Sequence, residues 1–358
     1  MRLKTNIKKS ALRVATAVMA LLPLVAFTSC DDFFSEQEGD CSVTYTLKFR
    51  YDRNLHWADA FANEVSSVHA YAFDKSGMLV WHREEQVDQA TADNYSMLLD
   101  LPAGDYKILA WCGLRNDGAR EESFSVPEAT IGETRIEDLH CSLRRYYGEA
   151  GAYSDKRLYR LFHGILDVSL PDNEDGGHYV YTVPLTKNTN HIRVILNHLS
   201  GEDVDVDKFT FRIDDENGLM AYHNGLLEDE NINYRPWATT NGVVGLGKED
   251  LDTRAIIDVK GAIADMTVAR MMEDHRRKMM LTITNDKGIK VARIPVIDYA
   301  LLAKGYYEEE YGHKMTDQEF LDREDDYVLT FFLDENNEWI SSQILIHSWM
   351  VVPNEVDL

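Results

Sequence analysis

Alternation of apolar and polar residues is the feature that most restricts the fold of this chain. In residues 43–51 the apolar positions Val43, Tyr45, Leu47, Phe49 and Tyr51 are separated by polar residues. Successive side chains of a strand point to opposite faces, so this period of two predicts a strand with one buried and one solvated face. Further strand-like runs cover residues 106–114, 161–170, 179–185 and 191–199.

Short polar turns separate many of these runs. Residues 74–77 (Asp-Lys-Ser-Gly), 214–218 and 285–288 contain a glycine after acidic or amide residues, and residues 334–338 form a similar turn without glycine. Glycine supplies the positive φ of a tight turn, and Asp or Asn can accept hydrogen bonds from the backbone that follows. Each of these segments therefore predicts a β-hairpin.

Helical patterns are few. Residues 56–65 repeat Trp57, Phe61 and Val65 at helical spacing, and residues 296–307 and 314–324 also have a helical pattern. Thr316 and Glu319 have the spacing of a capping box, with Thr316 as the N-cap. Many short strands, repeated hairpins and few helices predict an all-β fold of β-sandwich domains with short helical insertions.

Chain length predicts more than one domain. Of the 358 residues, 329 follow position 29, which is more than one hydrophobic core usually serves. We predict an N-terminal β-sandwich domain over residues 41–186 and a C-terminal one over residues 187–358, divided near the polar stretch 186–190. Residues 144–157 are a weaker candidate for the boundary, and we expect them to be an exposed excursion of the first domain.

The N-terminus has the order of a secretory signal. Basic residues precede an apolar run over residues 14–27, which is too short to span a bilayer as a helix. Small residues lead to Cys30, and two aspartates follow it. This order resembles a bacterial lipobox and predicts a lipoprotein signal peptide over residues 1–29, acyl chains such as palmitate on Cys30, and an acidic tether over residues 30–40. The alternative is an ordinary signal peptide with an incidental Cys30.

Charge narrows the choice of partners. The whole chain has a net charge of −24, and removal of residues 1–29 leaves 32 basic against 61 acidic residues, or −29. Because so acidic a surface repels phosphate backbones, we expect no nucleic acid partner.

The remaining cysteines are Cys41, Cys112 and Cys141. Two of them could form one disulfide in an oxidising compartment, with the pairing left open, and Cys112 could equally be a buried thiol.

No constellation of catalytic residues stands out. The chain lacks the sequence motifs of nucleophile elbows, phosphate loops and zinc metalloproteases. Residues 203–214 begin like a calcium loop, but Lys208 stands where that loop requires glycine. We therefore predict a protein that is not an enzyme, with no metal, no cofactor apart from the covalent lipid, and no small-molecule substrate.

Tryptophans could line a platform for sugars, although aromatic residues of β-sandwiches more often lie in the core. They are at positions 57, 81, 111, 237, 339 and 349.

Several segments together resemble a known family. Three segments are similar to the FimB/Mfa-type fimbrial anchor lipoproteins of Bacteroidia: residues 294–302, residues 315–352 with the run QEFLDREDDYVLTFFL at 318–333, and residues 101–114 (LPAGDYKILAWCGL). The resemblance extends over roughly residues 41–358. It implies two tandem transthyretin-like β-sandwich domains and a surface-exposed outer-membrane lipoprotein at the base of a type V fimbria. It also implies fimbrial stalk subunits as partners, joined by strand exchange, and a possible limit on fibre length.

Protease sites distinguish an anchor from a stalk subunit of this superfamily, whose tether and first strand are removed, often after arginine. No Arg or Lys occurs between Cys30 and Leu47, whereas Arg144 and Arg145 lie in the 144–157 segment. The sequence therefore favours an anchor that keeps its lipid. The alternative function is a surface adhesin or a glycan-binding lipoprotein, tip-like or free-standing.

Overall fold

The computed structural model describes residues 43–114, 122–172, 176–198, 200–250, 253–336, 338–346 and 349–351. The predicted signal peptide 1–29, the tether 30–40 with Cys30, and Cys41 lie outside the described residues. Apart from the first residues of the two strands that begin at Val43 and Gly177, the described strands and helices belong to one compact unit, Tyr45–Asp172 with Tyr179–Leu358.

Strands dominate the described part of the chain. In chain order they are β1 (Val43–Arg50), β2 (Ser67–Phe73), β3 (Leu79–Gln86), β4 (Met97–Leu98), β5 (Gly104–Cys112), β6 (Phe124–Ser125), β7 (His140–Leu143), β8 (Tyr146–Gly148), β9 (Gly151–Ser154), β10 (Phe162–Leu170), β11 (Gly177–Lys187), β12 (Thr189–His198), β13 (Phe209–Asp215), β14 (Leu219–Ala221), β15 (Ile232–Tyr234), β16 (Ala238–Asp250), β17 (Thr253–Ala269), β18 (Met280–Asn285), β19 (Lys290–Pro295), β20 (Asp326–Leu333), β21 (Trp339–Ile346) and β22 (Trp349–Val351).

Helices in the described residues are short. They are α1 (Phe61–Glu64), α2 (Val296–Leu301), α3 (Lys304–Tyr311) and α4 (Asp317–Arg323), with 3₁₀ turns at Ala92–Asn94, Ile136–Asp138, Val206–Lys208 and Glu273–His275. The predicted all-β fold with short helical insertions is therefore confirmed.

Four sheets contain the described strands. A seven-stranded sheet has the order β3-β2-β5-β10-β11-β1-β4, and a three-stranded sheet has the order β14-β7-β6. Two six-stranded sheets have the orders β16-β17-β12-β20-β21-β22 and β19-β18-β13-β15-β9-β8. Two pairings, β12 with β20 and β9 with β15, are parallel. Strands from both sides of residue 186 share sheets, since β14 pairs with β7 and β15 with β9.

The core is continuous across these sheets. Trp111 of β5, Phe124 of β6, Val194 of β12 and Phe211 of β13 come from the four different sheets and belong to one hydrophobic cluster, each no more than 2% exposed. Strands that bury one face against such a core require the alternating pattern read in the sequence.

Asp and Asn side chains build three of the predicted hairpins. Asp74 Oδ1 accepts from the backbone N–H of Ser76 at 2.8 Å, and Asn285 Oδ1 accepts from that of Lys287 at 3.0 Å. Asp334 Oδ1 accepts from the N–H of Asn336 at 2.8 Å in the β20–β21 hairpin. Because the side chain takes the place of a backbone acceptor, each turn is fixed locally.

The hairpin predicted at residues 214–218 is wrong. β13 and β14 flank this segment but lie in different sheets, because β13 pairs with β15 and β18 whereas β14 pairs with β7. Gly218 serves close packing there, since a Cβ atom on it would lie 2.3 Å from Ile232 Cδ1 and 2.7 Å from Arg145 Nη2. A glycine beside polar residues predicts a bend but does not specify the partner strand.

The helix predicted over residues 56–65 is reduced to the four residues of α1. Asn54 Nδ2 donates to the carbonyl of Ala58 at 2.7 Å, and Asp59 Oδ1 accepts from the N–H groups of Tyr51 and Phe61, both at 3.0 Å. Such local side-chain bonds offer the backbone an alternative to helical hydrogen bonds.

Both predicted C-terminal helical segments are present, although the first is divided into α2 and α3. At α4, Thr316 Oγ1 accepts from the N–H of Glu319 at 3.0 Å, which confirms the predicted N-cap. The Glu319 carboxylate does not complete the capping box, because Arg323 Nη2 donates to it at 2.9 Å.

Candidate functional site

The cysteines divide into two groups. Cys30, the predicted lipid attachment site, and Cys41 lie outside the described residues, so the lipid stays a prediction. Cys112 and Cys141 are buried free thiols. Burial raises the pKa of both groups, which keeps them protonated and unreactive. The disulfide left open in the sequence therefore does not join these two residues.

The first strand is part of the fold rather than an appendage. β1 lies between β11 and β4 in the seven-stranded sheet, and its residues Tyr45, Leu47 and Phe49 are at most 6% exposed. The Phe49 ring lies 6.1 Å from that of Phe61 and 6.0 Å from that of Tyr95. Apolar burial of this extent ties the start of the described chain to the sheet.

The 144–157 segment is exposed along much of its length, as its sequence predicts, but it is paired into a sheet rather than forming a free loop. It contains β8 and β9, and β9 pairs in parallel with β15 inside a six-stranded sheet. Arg145 binds Asp229 in bidentate geometry, with Nη1–Oδ1 at 2.7 Å and Nη2–Oδ2 at 2.8 Å, and the two side chains are only 10% and 12% exposed. Cleavage after Arg145 would require this ion pair and the strand beside it to open.

A buried ion pair links the end of β17 to α4, and Arg53, which precedes residue 186, approaches it. Arg270 at the end of β17 and Asp322 of α4 are 6% and 8% exposed, with Nη2 of the arginine 2.7 Å from Oδ1 of the aspartate. Arg270 Nη1 also donates to Asn188 Oδ1 at 2.9 Å, and Arg53 Nη1 approaches Asp322 at 3.5 Å. Each buried charge thus has more than one partner, as a desolvated pair requires.

A polar groove of about 780 Å³ opens close to this network. Its walls come from the loop after β1, from α1, from residues 157–160 and from the first residues of β12. Lys187 contacts Glu64 at 2.8 Å and also pairs with Asp325. Ion pairs therefore hold one side of the groove in place.

His191 carries a positive charge in this groove. Its Nε2 lies 3.0 Å from Asp265 Oδ1 and its Nδ1 lies 2.8 Å from Asp326 Oδ1. Burial alone would lower the pKa of His191, but these two hydrogen bonds outweigh burial and raise the pKa to about 9. Asp265 is also desolvated, yet its bonds to His191 and Arg193 lower its pKa to about 2.

Among the described residues, no group of three or more His, Cys, Asp or Glu side chains is placed to bind a metal ion. Within the same residues, no helix is both long and apolar enough to cross a membrane.

Comparison with known proteins identifies the family. A family model of fimbrillin-A associated anchor proteins Mfa1 and Mfa2 matches residues 37–355. The chain belongs to this fimbrial anchor family. The resemblance read in the sequence is therefore confirmed, and the family is a structural one rather than a class of enzymes.

Individual relatives agree with this assignment. The minor fimbrium anchoring subunit Mfa2 of Porphyromonas gingivalis strain ATCC 33277 is 25% identical over 226 residues, which is 62% of this chain and 65% of that protein. The solved structure of the P. gingivalis fimbrial anchor Mfa2 matches with a TM-score of 0.61 at 18% identity, and the match covers 88% of this chain and 100% of the other chain, which shows a shared fold.

Two solved structures from Bacteroides thetaiotaomicron VPI-5482 are more similar in sequence. A candidate adhesin is 34% identical with a TM-score of 0.73, and a candidate polysaccharide-binding protein is 29% identical with a TM-score of 0.71. Each match covers 88% of this chain and 99% of the other chain.

Sequence reasoning missed the Arg270–Asp322 pair and the groove. The partners of the pair are 52 residues apart in the chain, and no local pattern marks either residue. The tryptophans differ in exposure. Trp111 and Trp81 are buried, whereas Trp57 is 40% exposed and Trp237 is half-buried beside the groove.

Proposed function

We propose that this protein is an outer-membrane lipoprotein that anchors a type V fimbria at the cell surface through acyl chains on Cys30. Membership of the fimbrial anchor family supports a role at the fimbrium. One acyl chain holds a protein to a bilayer only marginally, whereas several hold it stably. The 13 residues 30–42 that precede Val43 would span at most about 45 Å when extended.

Integration of β1 is the observation that carries this proposal. The first basic residue after Cys30 is Lys48, which already lies inside β1. A trypsin-like protease has no site before that strand, and cleavage within it would require paired and buried residues to leave the sheet. The lipid would therefore stay joined to the folded body.

We further propose that the stalk joins this protein by strand exchange. A strand donated by one subunit satisfies the open backbone groups and the apolar trough of an incomplete sheet in the other. The stalk subunit is the expected partner, and nucleic acid is not expected because the chain is strongly acidic.

The test is a Cys30→Ala variant in the native bacterium, with Cys41→Ala as the matched control for loss of a nearby thiol. We expect the Cys30 variant to leave the outer-membrane fraction and fimbriae to appear in the medium with the protein attached. Mass spectrometry of the wild-type N-terminus should show acylated Cys30. If the Cys30 variant stays with the outer membrane, another segment provides the attachment; if it is shed without fimbriae, the protein is not joined to the stalk.

A surface adhesin or glycan-binding lipoprotein is the second candidate. The observation in its favour is the pair of Bacteroides relatives described above, one a candidate adhesin and the other a candidate polysaccharide-binding protein. Loss of surface adhesion with normal fimbriae in a deletion strain would favour this second role.

A further inference from the structure

The groove beside β12 differs in charge from the rest of the molecule. The chain has a net charge of −24, yet the cationic side chains that line the groove outnumber the acidic ones. The cations are Arg157, Arg160, Lys187, His191, Arg193 and Arg323, and the acids are Asp59, Glu64, Asp325 and Asp326. Asp265 and Glu319, outside this lining, pair with His191, Arg193 and Arg323. The groove is therefore close to neutral on a strongly acidic protein, and an anionic ligand there would depend on the cations that lack such a partner.

Arg157 is the cation with spare binding capacity. Its guanidinium lies 5.2 Å from the ring centroid of Trp237, and no carboxylate in the described part of the chain lies within ion-pair distance of it. Stacking on an aromatic ring leaves the edge of a guanidinium free to bind a carboxylate in bidentate geometry. Arg160 nearby is 53% exposed and is held only loosely, 3.8 Å from Glu64.

Trp237 also has an unused donor. Its indole N–H is buried and has no hydrogen-bond partner among the described residues. The ring lies 6.2 Å from that of His191, at 40° to it. An unsatisfied buried N–H costs free energy, and a ligand or water that accepts from it would recover that cost.

A peptide strand is poorly suited to this groove. β12, whose first residues form one wall, already pairs with β17 on one side and β20 on the other. No open strand edge is thus available at His191–Arg193 for strand addition. The groove presents side-chain donors and acceptors instead, among them Asn63, Thr189 and Thr267, and these are suited to hydroxyl groups.

We propose that the groove binds an acidic polysaccharide, with a uronate carboxylate held by Arg157 and the neighbouring sugar ring packed beside Trp237. The interaction is non-covalent and does not depend on the anchoring role. A volume of about 780 Å³ lies within the range of ligand pockets.

The test uses the full-length lipidated protein in detergent and measures binding to polygalacturonate by titration calorimetry at low salt. Methyl-esterified polygalacturonate has the same sugars without the charge, and polyglutamate has the charge without the sugars. We expect binding to polygalacturonate alone, and Arg157→Ala should weaken it at least about tenfold, because the charge-assisted hydrogen bonds from Arg157 to the carboxylate are lost.

A matched control exists on the edge strand β3. Arg83 stacks over Trp81 at 5.8 Å but does not line the groove, so Arg83→Ala should bind like the wild type. The proposal would be overturned if Arg157→Ala bound polygalacturonate as tightly as the wild type, or if the wild type did not bind it. Equal binding of the esterified polymer would refute the charge requirement, and equal binding of polyglutamate would identify an acidic peptide rather than a glycan as the ligand. Thermal melts of each variant exclude misfolding as the cause of a loss.

Discussion

Replacement of Arg270 by methionine tests whether its buried ion pair with Asp322 stabilises the fold as the geometry implies. The substitution keeps most of the side-chain volume but removes the charge, the 2.7 Å contact to Asp322 and the 2.9 Å bond to Asn188. Removal of one member of a buried pair costs about 3–5 kcal/mol, because the other charge stays desolvated.

In the Arg270→Met variant, Asp322 would keep two of its polar partners. Arg53 lies 3.5 Å away, and Gln318 Nε2 donates to Asp322 Oδ1 at 2.9 Å. We therefore expect Arg270→Met to lower the free energy of unfolding by about 3 kcal/mol, at the low end of the range. The double variant Arg270→Met, Asp322→Leu should recover at least half of that loss, because no buried charge is left alone.

Urea titration of the full-length protein in detergent, followed by circular dichroism, measures these differences. Arg144→Met is the matched control, since Arg144 and its partner Glu122 are 48% and 40% exposed; exposed pairs contribute at most about 1 kcal/mol. A loss below about 1 kcal/mol for Arg270→Met, or a double variant as unstable as the sum of the two single ones, would refute the desolvation argument.

Three further predictions concern single residues. The raised pKa of His191 predicts that its hydrogen bonds stabilise the fold fully below the unfolded pKa of about 6.5 and that this stabilisation is lost as pH rises to about 9. Urea titrations should show the free energy of unfolding fall by about 1–2 kcal/mol over this window, and His191→Gln should not show this fall. Gly113→Ala should cost more than about 2 kcal/mol in a thermal melt, because φ is +85° and a Cβ atom would lie 2.0 Å from the Arg160 carbonyl oxygen; Gly288→Ala, at φ +75° in open space, should cost only about 1 kcal/mol. Thr316→Ala should cost about 1 kcal/mol through loss of the N-cap bond, and an unchanged melting temperature would contradict that role.

Local features of the fold could be predicted from the sequence because local chemistry determines them. The alternation in residues 43–51, the Asx turns at Asp74 and Asn285, and the N-cap at Thr316 all depend on residues within a few positions of one another. The family could also be predicted, since long segments resemble its members.

Features that depend on distant partners could not be predicted. Nothing near Arg145 indicates that Asp229, 84 residues away, fixes it in a sheet. The glycine at position 218 looks like a turn residue, although its absent side chain is needed for the approach of Ile232. The groove also depends on distant residues, because Arg157 and Trp237 are 80 positions apart and follow β9 and β15, which pair with each other.

Because β1 is paired within a sheet, the proposed lipid would be retained for as long as the protein stays folded. Lys48 is exposed, but a protease must bind several residues in an extended and unpaired form, so exposure of one side chain does not create a cleavage site. Release of the strand would expose Tyr45, Leu47, Phe49 and Tyr51, all at most 6% accessible. At about 1.5–3 kcal/mol for each large buried side chain, this amounts to about 6–12 kcal/mol, comparable to the whole stability of a typical domain. Cleavage within β1 would thus require the sheet to unfold, and a folded protein would keep whatever its N-terminus carries.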